Sequence, residues 1–231
     1  MKRLSEALLA LLFPRRAVCM GCGSAAGCRE DWICPACRER LAAQWVGAEP
    51  PDYGFDAMAF AYVYLGPVAG IVRRMKYGGV SRLAAFMGED MVRAWRFLEP
   101  IGADMVVSVP MYPSRRRQRG GNHAEQLAMD VARRLELPCV DALARVRNTP
   151  QQAMLDDDAR RSNLSGAFAL KAPVRDRRVI LVDDVCTTGT TARACAAQLK
   201  AGGAEKVYLL CYARAGRRSE RGERGPVGME G

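Results

Sequence analysis

The chain has 231 residues, 49% of them hydrophobic and 26% charged, which excludes a mostly disordered protein. No apolar run approaches the ~20 residues that a membrane-spanning helix needs, so membrane insertion is not expected. The apolar run from Ala7 to Phe13 is followed at once by Pro14 and two arginines rather than by a cleavage site, and the sequence therefore predicts a cytoplasmic protein. The net charge of +10 favours polyanionic partners, either nucleic acid or a phosphorylated small molecule.

Five of the nine cysteines lie within residues 19–37, and four of them form two CxxC pairs separated by eleven residues: Cys19, Cys22, Cys34 and Cys37. Two such turns supply the four thiolates of a tetrahedral zinc site, which leaves no open position and is therefore structural. Because this short segment cannot bury enough apolar surface to fold alone, the metal would supply the folding energy. The alternative is a set of free or redox-active thiols. Cys28 is left outside the pattern.

The middle of the chain alternates strand-like and helix-like segments. Short apolar runs are typical of buried parallel strands, and the segments between them have helical spacing. The alternation predicts a parallel α/β sheet. Asn122 is expected to cap one helix, with Glu125 completing a capping box. Strands are predicted at 57–65, 105–109, 179–182 and 207–212, and helices at 66–76, 82–97, 122–137 and 190–201.

Composition changes divide the chain into three parts. The segment 48–52 contains two prolines and is predicted to be a linker. The last eighteen residues contain almost no large apolar side chain and are predicted to be disordered. We therefore expect a zinc ribbon with its N-terminal segment in 1–48, the α/β domain in 49–213 and a tail in 214–231.

The most informative segment is 179–191, where a buried strand is expected to end in Asp183 and Asp184 and to lead through a threonine-rich loop into a helix. A helix N-terminus presents free N–H groups to an anion, and threonine hydroxyls add donors. The loop lacks the GK[ST] of nucleoside triphosphatases. Paired carboxylates would repel a phosphate but suit the vicinal hydroxyls of a ribose. The segment therefore predicts a site for a ribose that carries a 5-phosphate.

A basic cluster follows the strand predicted at 105–109 and consists of Arg115, Arg116, Arg117 and Arg119. Loops at the carboxyl ends of parallel strands bind ligands, so the cluster indicates contact with pyrophosphate or nucleic-acid phosphate, the alternative being a solvated charge run. Lys76 either reaches pyrophosphate or ends its helix favourably as a cation. His123, the only histidine, is expected to be an ordinary first residue of its helix rather than a general base.

Residues 179–191 resemble the phosphoribosyl pyrophosphate (PRPP) signature of type I phosphoribosyltransferases. The resemblance implies that Asp183 and Asp184 hold the ribose hydroxyls and that Mg²⁺ accompanies the pyrophosphate. It also implies a mobile loop within 151–168. The residues that it assigns to the phosphate are Val185, Cys186, Thr187, Thr188, Gly189, Thr190 and Thr191.

The order of motifs along nearly the whole chain, from Phe13-Pro14 through the CxxC pairs to the signature, is similar to that of the competence protein F (ComF) family. That resemblance implies a zinc ribbon on a type I phosphoribosyltransferase sheet and a role in natural transformation. Where family members usually read RGFNQ, this chain reads RGGNH, so Gly121 and His123 are departures.

Two functional hypotheses follow from the resemblance. In the first, the chain binds PRPP or another phosphorylated ribose and, where active, transfers the pentosyl group. In the second, it is a non-catalytic competence factor that binds single-stranded DNA and a DNA-uptake helicase, with a vestigial PRPP pocket.

Overall fold

The computed structural model describes residues 18–25, 32–52, 54–77, 81–98, 101–148 and 166–215. The predicted mobile loop falls almost entirely outside these ranges, as do Cys28, the N-terminal apolar run and the tail from residue 216 onward. Within the described ranges, every helix is too short or too polar to cross a bilayer.

The described elements alternate between helix and strand for most of their length. In chain order they are α1 (Pro35–Ala42), β1 (Trp45–Glu49), β2 (Ala57–Val63), α2 (Gly66–Tyr77), α3 (Ser81–Trp95), a 3-10 turn (Arg96–Leu98), β3 (Met105–Ser108), α4 (Pro113–Arg119), α5 (His123–Leu135), β4 (Leu143–Arg145), β5 (Phe168–Leu170), β6 (Arg178–Cys186), α6 (Thr190–Ala201) and β7 (Lys206–Arg214).

The main sheet has the strand order β1-β2-β7-β6-β3, and its last four strands are parallel. The predicted parallel α/β class is therefore confirmed. Strand β1 is antiparallel to β2, with Trp45 opposite Tyr62, and was not predicted. The linker expected at 48–52 begins inside this edge strand. The hairpin of β4 and β5 forms a separate two-stranded sheet.

Both faces of the sheet are buried, which explains why its strands read as continuous apolar runs. In β6, Ile180 and Val182 pack into the core beneath α2, α3 and α5, whereas Val179 and Leu181 pack into the core shared with α6 and the β4–β5 hairpin. Burial on both faces and pairing with β7 and β3 fix the position of β6. The residues at its carboxyl end are therefore held in place by the core.

Two local predictions are wrong. Strand β6 does not stop at Val182 but continues through both aspartates to Cys186, because β7 pairs with it as far as Arg214. The arginine cluster is not a loop but the short helix α4, which begins at Pro113, a residue well suited to the first helical position.

The predicted capping box at α5 is also wrong. Asn122 does occupy the N-cap position, but its side chain makes no capping hydrogen bond. Its Nδ2 instead donates to the Val109 carbonyl at 3.1 Å, and Glu125 forms an ion pair with Arg116. The amide thus ties the start of α5 to the carboxyl end of β3, where the cavity described below lies.

Candidate functional site

The acidic pair lies at the carboxyl end of β6, and Asp184 faces the end of α2. Asp184 is buried, and its Oδ2 lies 2.8 Å from the Lys76 Nζ at the end of α2. The side chains of Asp184 and Lys76 are only 13% and 23% exposed. The Oδ1 of Asp183 accepts a hydrogen bond from the Asp184 amide at 2.8 Å. A lysine more than one hundred residues away in the chain therefore supplies the cation next to the carboxylates.

The charges of this cluster influence one another strongly. Burial and the neighbouring Asp184 carboxylate raise the pKa of Asp183 to about 7. Burial alone would lower the pKa of the Lys76 amine, but Asp184 and, more weakly, Asp183 hold it above its ordinary value. The cluster thus contains two carboxyl groups and a single paired lysine, and near pH 7 the Asp183 carboxyl group is only partly ionised.

The threonine loop turns from β6 into α6. Gly189, at the N-cap of α6, has φ 72°, a left-handed conformation that glycine adopts without strain. The hydroxyl oxygens of Thr188 and Thr190 lie 2.8 Å apart, and Arg193 donates from Nη2 to the Thr188 carbonyl at 2.6 Å. These internal contacts hold the loop in a compact turn. The threonine hydroxyls and the free amides of the helix N-terminus lie on that same turn.

A cavity of about 140 Å³ opens beside the acidic pair and gathers side chains from four stretches of the chain, which are residue 76, 109–124, residue 145 and 183–191. Among the residues predicted from the sequence, it is lined by Lys76, Arg115, Arg119, Asp183, Asp184 and Thr191. The structure therefore brings one acidic pair, three cations and one threonine of the loop to the same cavity.

Three polar lining residues were missed or set aside by sequence reasoning: Asn122, His123 and Arg145. Arg145 ends the three-residue strand β4, whose brevity left no periodic signal. Burial and the nearby Arg115 lower the pKa of the Arg145 guanidinium below its usual value. Asn122 was read as a helix cap, and its tie to Val109 could not be inferred without the tertiary structure.

His123 is the first residue of α5, as expected, but it is 6% exposed and lines the cavity. Burial lowers the pKa of its imidazole; Asp184 opposes this effect, whereas Lys76 and Arg119 add to it. Its Nδ1 is buried and has no hydrogen-bond partner among the described residues. Burial and the two neighbouring cations therefore favour the neutral form of the ring.

A larger recess of about 400 Å³ adjoins the cavity and shares Pro110, Met111, Asn122 and Arg145 with it. Arg116 and Arg117 line this recess instead of the cavity. The recess also contains two solvent-exposed ion pairs, Arg116 with Glu125 and Lys171 with Asp141. The predicted arginine cluster is therefore divided between two neighbouring depressions.

The four paired cysteines form a compact cluster at the other end of α2. Their Sγ atoms all lie within 4.8 Å of one another, and those of Cys22 and Cys34 are 3.9 Å apart. A tetrahedral zinc ion with Zn–S bonds of about 2.3 Å requires sulfur separations of about 3.8 Å. The cluster can therefore hold a metal such as zinc.

The surroundings of Cys19 favour a thiolate. Burial raises its pKa, but backbone hydrogen bonds from Cys34, Cys22 and Gly21 outweigh burial and hold the pKa at about 6. The Cys34 amide, for example, donates to the Cys19 Sγ at 3.3 Å. In the absence of an ion, burial and the adjacent thiols raise the pKa of Cys37. Four thiols this close together are suited to deprotonation by a shared metal ion.

The parallel sheet, the acidic pair and the threonine loop define a phosphoribosyltransferase-type protein, and residues 122–229 match the model of the phosphoribosyl transferase domain family. The Salmonella typhi DNA utilization protein YhgH is 30% identical over 207 residues, which cover 87% of this chain and 85% of that relative. Competence protein F of Haemophilus influenzae is 31% identical over 172 residues, 70% of this chain and 74% of that relative. The chain belongs to the ComF family.

Among solved structures, that of glutamine PRPP amidotransferase from B. subtilis superposes on this chain with a TM-score of 0.40 and 19% sequence identity, over 59% of this chain and 29% of that one.

Proposed function

We propose that this chain binds PRPP, or another ribose 5-phosphate, in the cavity beside Asp183 and Asp184. The observation that supports the proposal best is the buried Lys76–Asp184 pair, which lies next to a threonine loop at a helix N-terminus. Carboxylates suit the ribose hydroxyls, and the loop suits the 5-phosphate. The cavity thus offers the opposite charges that the two ends of a phosphorylated sugar require.

Each part of the ligand would meet a different group of side chains. The hydroxyls and amides of residues 187–191 would hold the 5-phosphate, and the acidic pair would orient the ribose. Lys76, Arg115 and Arg119 would contact the pyrophosphate, and Arg145 adds a cation that sequence reasoning missed. Magnesium would arrive with the pyrophosphate and neutralise part of its charge, because Mg²⁺ prefers phosphate and carboxylate oxygens.

If the chain is catalytic, the reaction is a substitution at ribose C1. The bond from C1 to the pyrophosphate oxygen breaks and pyrophosphate keeps the electron pair. A lone pair of the acceptor forms the new bond to C1, and the acceptor loses a proton to water or to a base. The carboxylates would favour the positive charge that develops on the ribose, so positioning and electrostatics would account for most of the rate.

The test is a thermal-unfolding titration of the zinc-loaded protein with PRPP and Mg²⁺. At one hundred times its dissociation constant, the ligand should stabilise the fold by about 2.7 kcal/mol. The double variant Asp183→Asn with Asp184→Asn should lose this shift. Asp176→Asn is the matched control, because Asp176 is exposed and lies in a turn before β6. A wild-type protein that shows no shift at millimolar PRPP would contradict the proposal.

The second candidate is binding of single-stranded DNA, with a DNA-uptake helicase as protein partner and the cytoplasm as the site of action. It is favoured by the names of the relatives, which refer to DNA utilization and competence. Arg116 and Arg117 are exposed on α4, and the net charge is +10. Binding of an oligonucleotide should weaken steeply with salt. Arg116→Ser with Arg117→Ser should reduce the salt slope, whereas the double aspartate variant should not.

For the cysteine cluster we propose a structural zinc ion held by all four thiolates. Metal analysis of the purified protein should give one zinc per chain, and Cys37→Ser should lower that content. A purified protein with intact CxxC pairs but no zinc would favour the redox reading of the cysteines instead.

A further inference from the structure

Helix α2 lies between the cysteine cluster and the cavity, and contacts both. Pro67, Gly70 and Arg74 are spaced by three and four residues, so they lie on one face of the helix. This face meets the turn between the first two paired cysteines. Lys76 is two residues beyond Arg74, and two helical residues subtend about 200°. Lys76 therefore points away from the cysteines, toward Asp184.

Helix α2 contacts the backbone of the cysteine turn directly. The Arg74 Nη1 donates to the carbonyl oxygens of Met20 and Gly21 at 2.9 and 3.3 Å. A Cβ atom added to Gly70 would lie 1.8 Å from the Gly21 carbonyl oxygen, and one added to Gly21 would lie 2.8 Å from the Pro67 Cβ. Glycine on both sides lets the two backbones touch, so neither segment can shift without moving the other.

The adjacent side of α2 is held just as closely. Ile71, Val72 and Met75 are all buried in the core beneath the sheet. The Met75 backbone lies next to the His123 imidazole, which lines the cavity. The last turn of the helix thus belongs to the wall of the cavity, whereas its outer face belongs to the surface on which the cysteine turn rests.

We propose that Arg74 is a positioning residue that fixes α2 against the metal-binding turn and thereby holds the Lys76 ammonium group against Asp184. Occupancy of the cysteine cluster then sets the geometry of the cavity. The consequence for PRPP rests on the function proposed above, but the placement of Lys76 does not. The two statements can therefore fail separately.

The chain offers a direct spectroscopic test because it has only five lysines. Reductive ¹³C-methylation of the folded, zinc-loaded protein gives one dimethyl-lysine NMR signal for each, and Lys76→Arg assigns the signal of Lys76. In the wild type this signal should titrate above the ordinary lysine range. In Arg74→Ala it should move toward the exposed-lysine position and titrate lower. Arg73→Ala is the matched control, since Arg73 is exposed on the same helix, and it should leave the signal unchanged.

Two further variants separate positioning from general destabilisation. Arg74→Lys keeps one donor for the Met20 carbonyl and should restore most of the wild-type signal. Gly70→Ala keeps Arg74 but forces the turn away from the helix, and should shift the signal as Arg74→Ala does. Removal of zinc from the wild type by a chelator should also shift it. An unchanged Lys76 signal in the folded Arg74→Ala protein or in the chelated wild type would overturn the inference.

The effect on ligand binding is tested by isothermal titration calorimetry, which measures the affinity for PRPP in the presence of Mg²⁺. If the wild type binds, Arg74→Ala should weaken binding about tenfold with zinc still present, and Arg73→Ala by less than twofold. Equal affinities in these two variants would contradict the coupling to the ligand. A wild type that does not bind PRPP would overturn the proposed function, and the Lys76 signal would still decide the inference.

Discussion

The cavity and the adjoining recess share a wall and both carry ion pairs, but these pairs differ in kind. In the cavity, Lys76 and Asp184 are mostly buried and come from distant segments of the chain. In the recess, the Lys171 and Asp141 side chains are 45% and 70% exposed. Water screens the second pair and leaves the first almost unscreened. Charge alone therefore does not mark a ligand-binding site, whereas charges that the core holds in place do.

The largest effect is expected when the lysine is removed from the Lys76–Asp184 pair, and the same change in the Lys171–Asp141 pair is the comparison. Lys76→Met leaves the buried carboxylates without their cation and should lower the free energy of unfolding by about 3 kcal/mol at pH 8, the scale expected for a broken buried pair. Lys171→Met should cost no more than about 1 kcal/mol. Urea unfolding of both variants measures the difference. Similar losses would show that the two depressions are electrostatically equivalent.

The loss in Lys76→Met should shrink at low pH. When the carboxyl groups take up protons, there is less negative charge for the missing ammonium group to compensate. Repeating the urea series at pH 5 should bring the two lysine variants closer together, and a loss that stays constant between pH 5 and pH 8 would assign the effect to packing of the lysine stem instead.

Sequence reasoning located the acidic pair, the threonine loop and the cysteine pairs because each is a local pattern whose chemistry depends on spacing. The parallel sheet was predictable for the same reason, since strand and helix periods alternate along the chain. It could not show that β6 continues past Asp184, because that extension depends on pairing with β7. Nor could it place Arg145 in the wall of the cavity, because the short hairpin that positions Arg145 carries no periodic signal.

A smaller effect is expected from the titration of Asp183. Its pKa is raised to about 7 in the folded protein, so folding takes up a proton between about pH 4 and pH 7. The contribution of this group to stability is therefore present at low pH and is lost as the pH rises through 7. Asp183→Asn lacks that loss and should gain stability relative to the wild type from pH 5 to pH 8.

The expected gain between pH 5 and pH 8 is on the order of 2 to 3 kcal/mol, since about two pH units separate pH 5 from this pKa and each corresponds to about 1.4 kcal/mol. Urea unfolding at the two pH values measures it, and Asp141→Asn, which removes an exposed carboxylate of the recess, is the matched control. A relative stability of Asp183→Asn that stays flat from pH 5 to pH 8 would mean that Asp183 is ionised throughout and that Lys76 compensates both carboxylates.

The smallest effect should come from the exposed pair on α4. The Arg116 Nη2 lies 3.0 Å from the Glu125 Oε2, but the arginine side chain is 56% exposed, so the pair contributes little to stability. Arg116→Ala should change the free energy of unfolding by less than about 0.5 kcal/mol and leave any PRPP-induced thermal shift intact. The residue it removes faces the recess rather than the cavity. A marked loss of the PRPP-induced thermal shift in Arg116→Ala would therefore show that the cavity and the recess form one binding site.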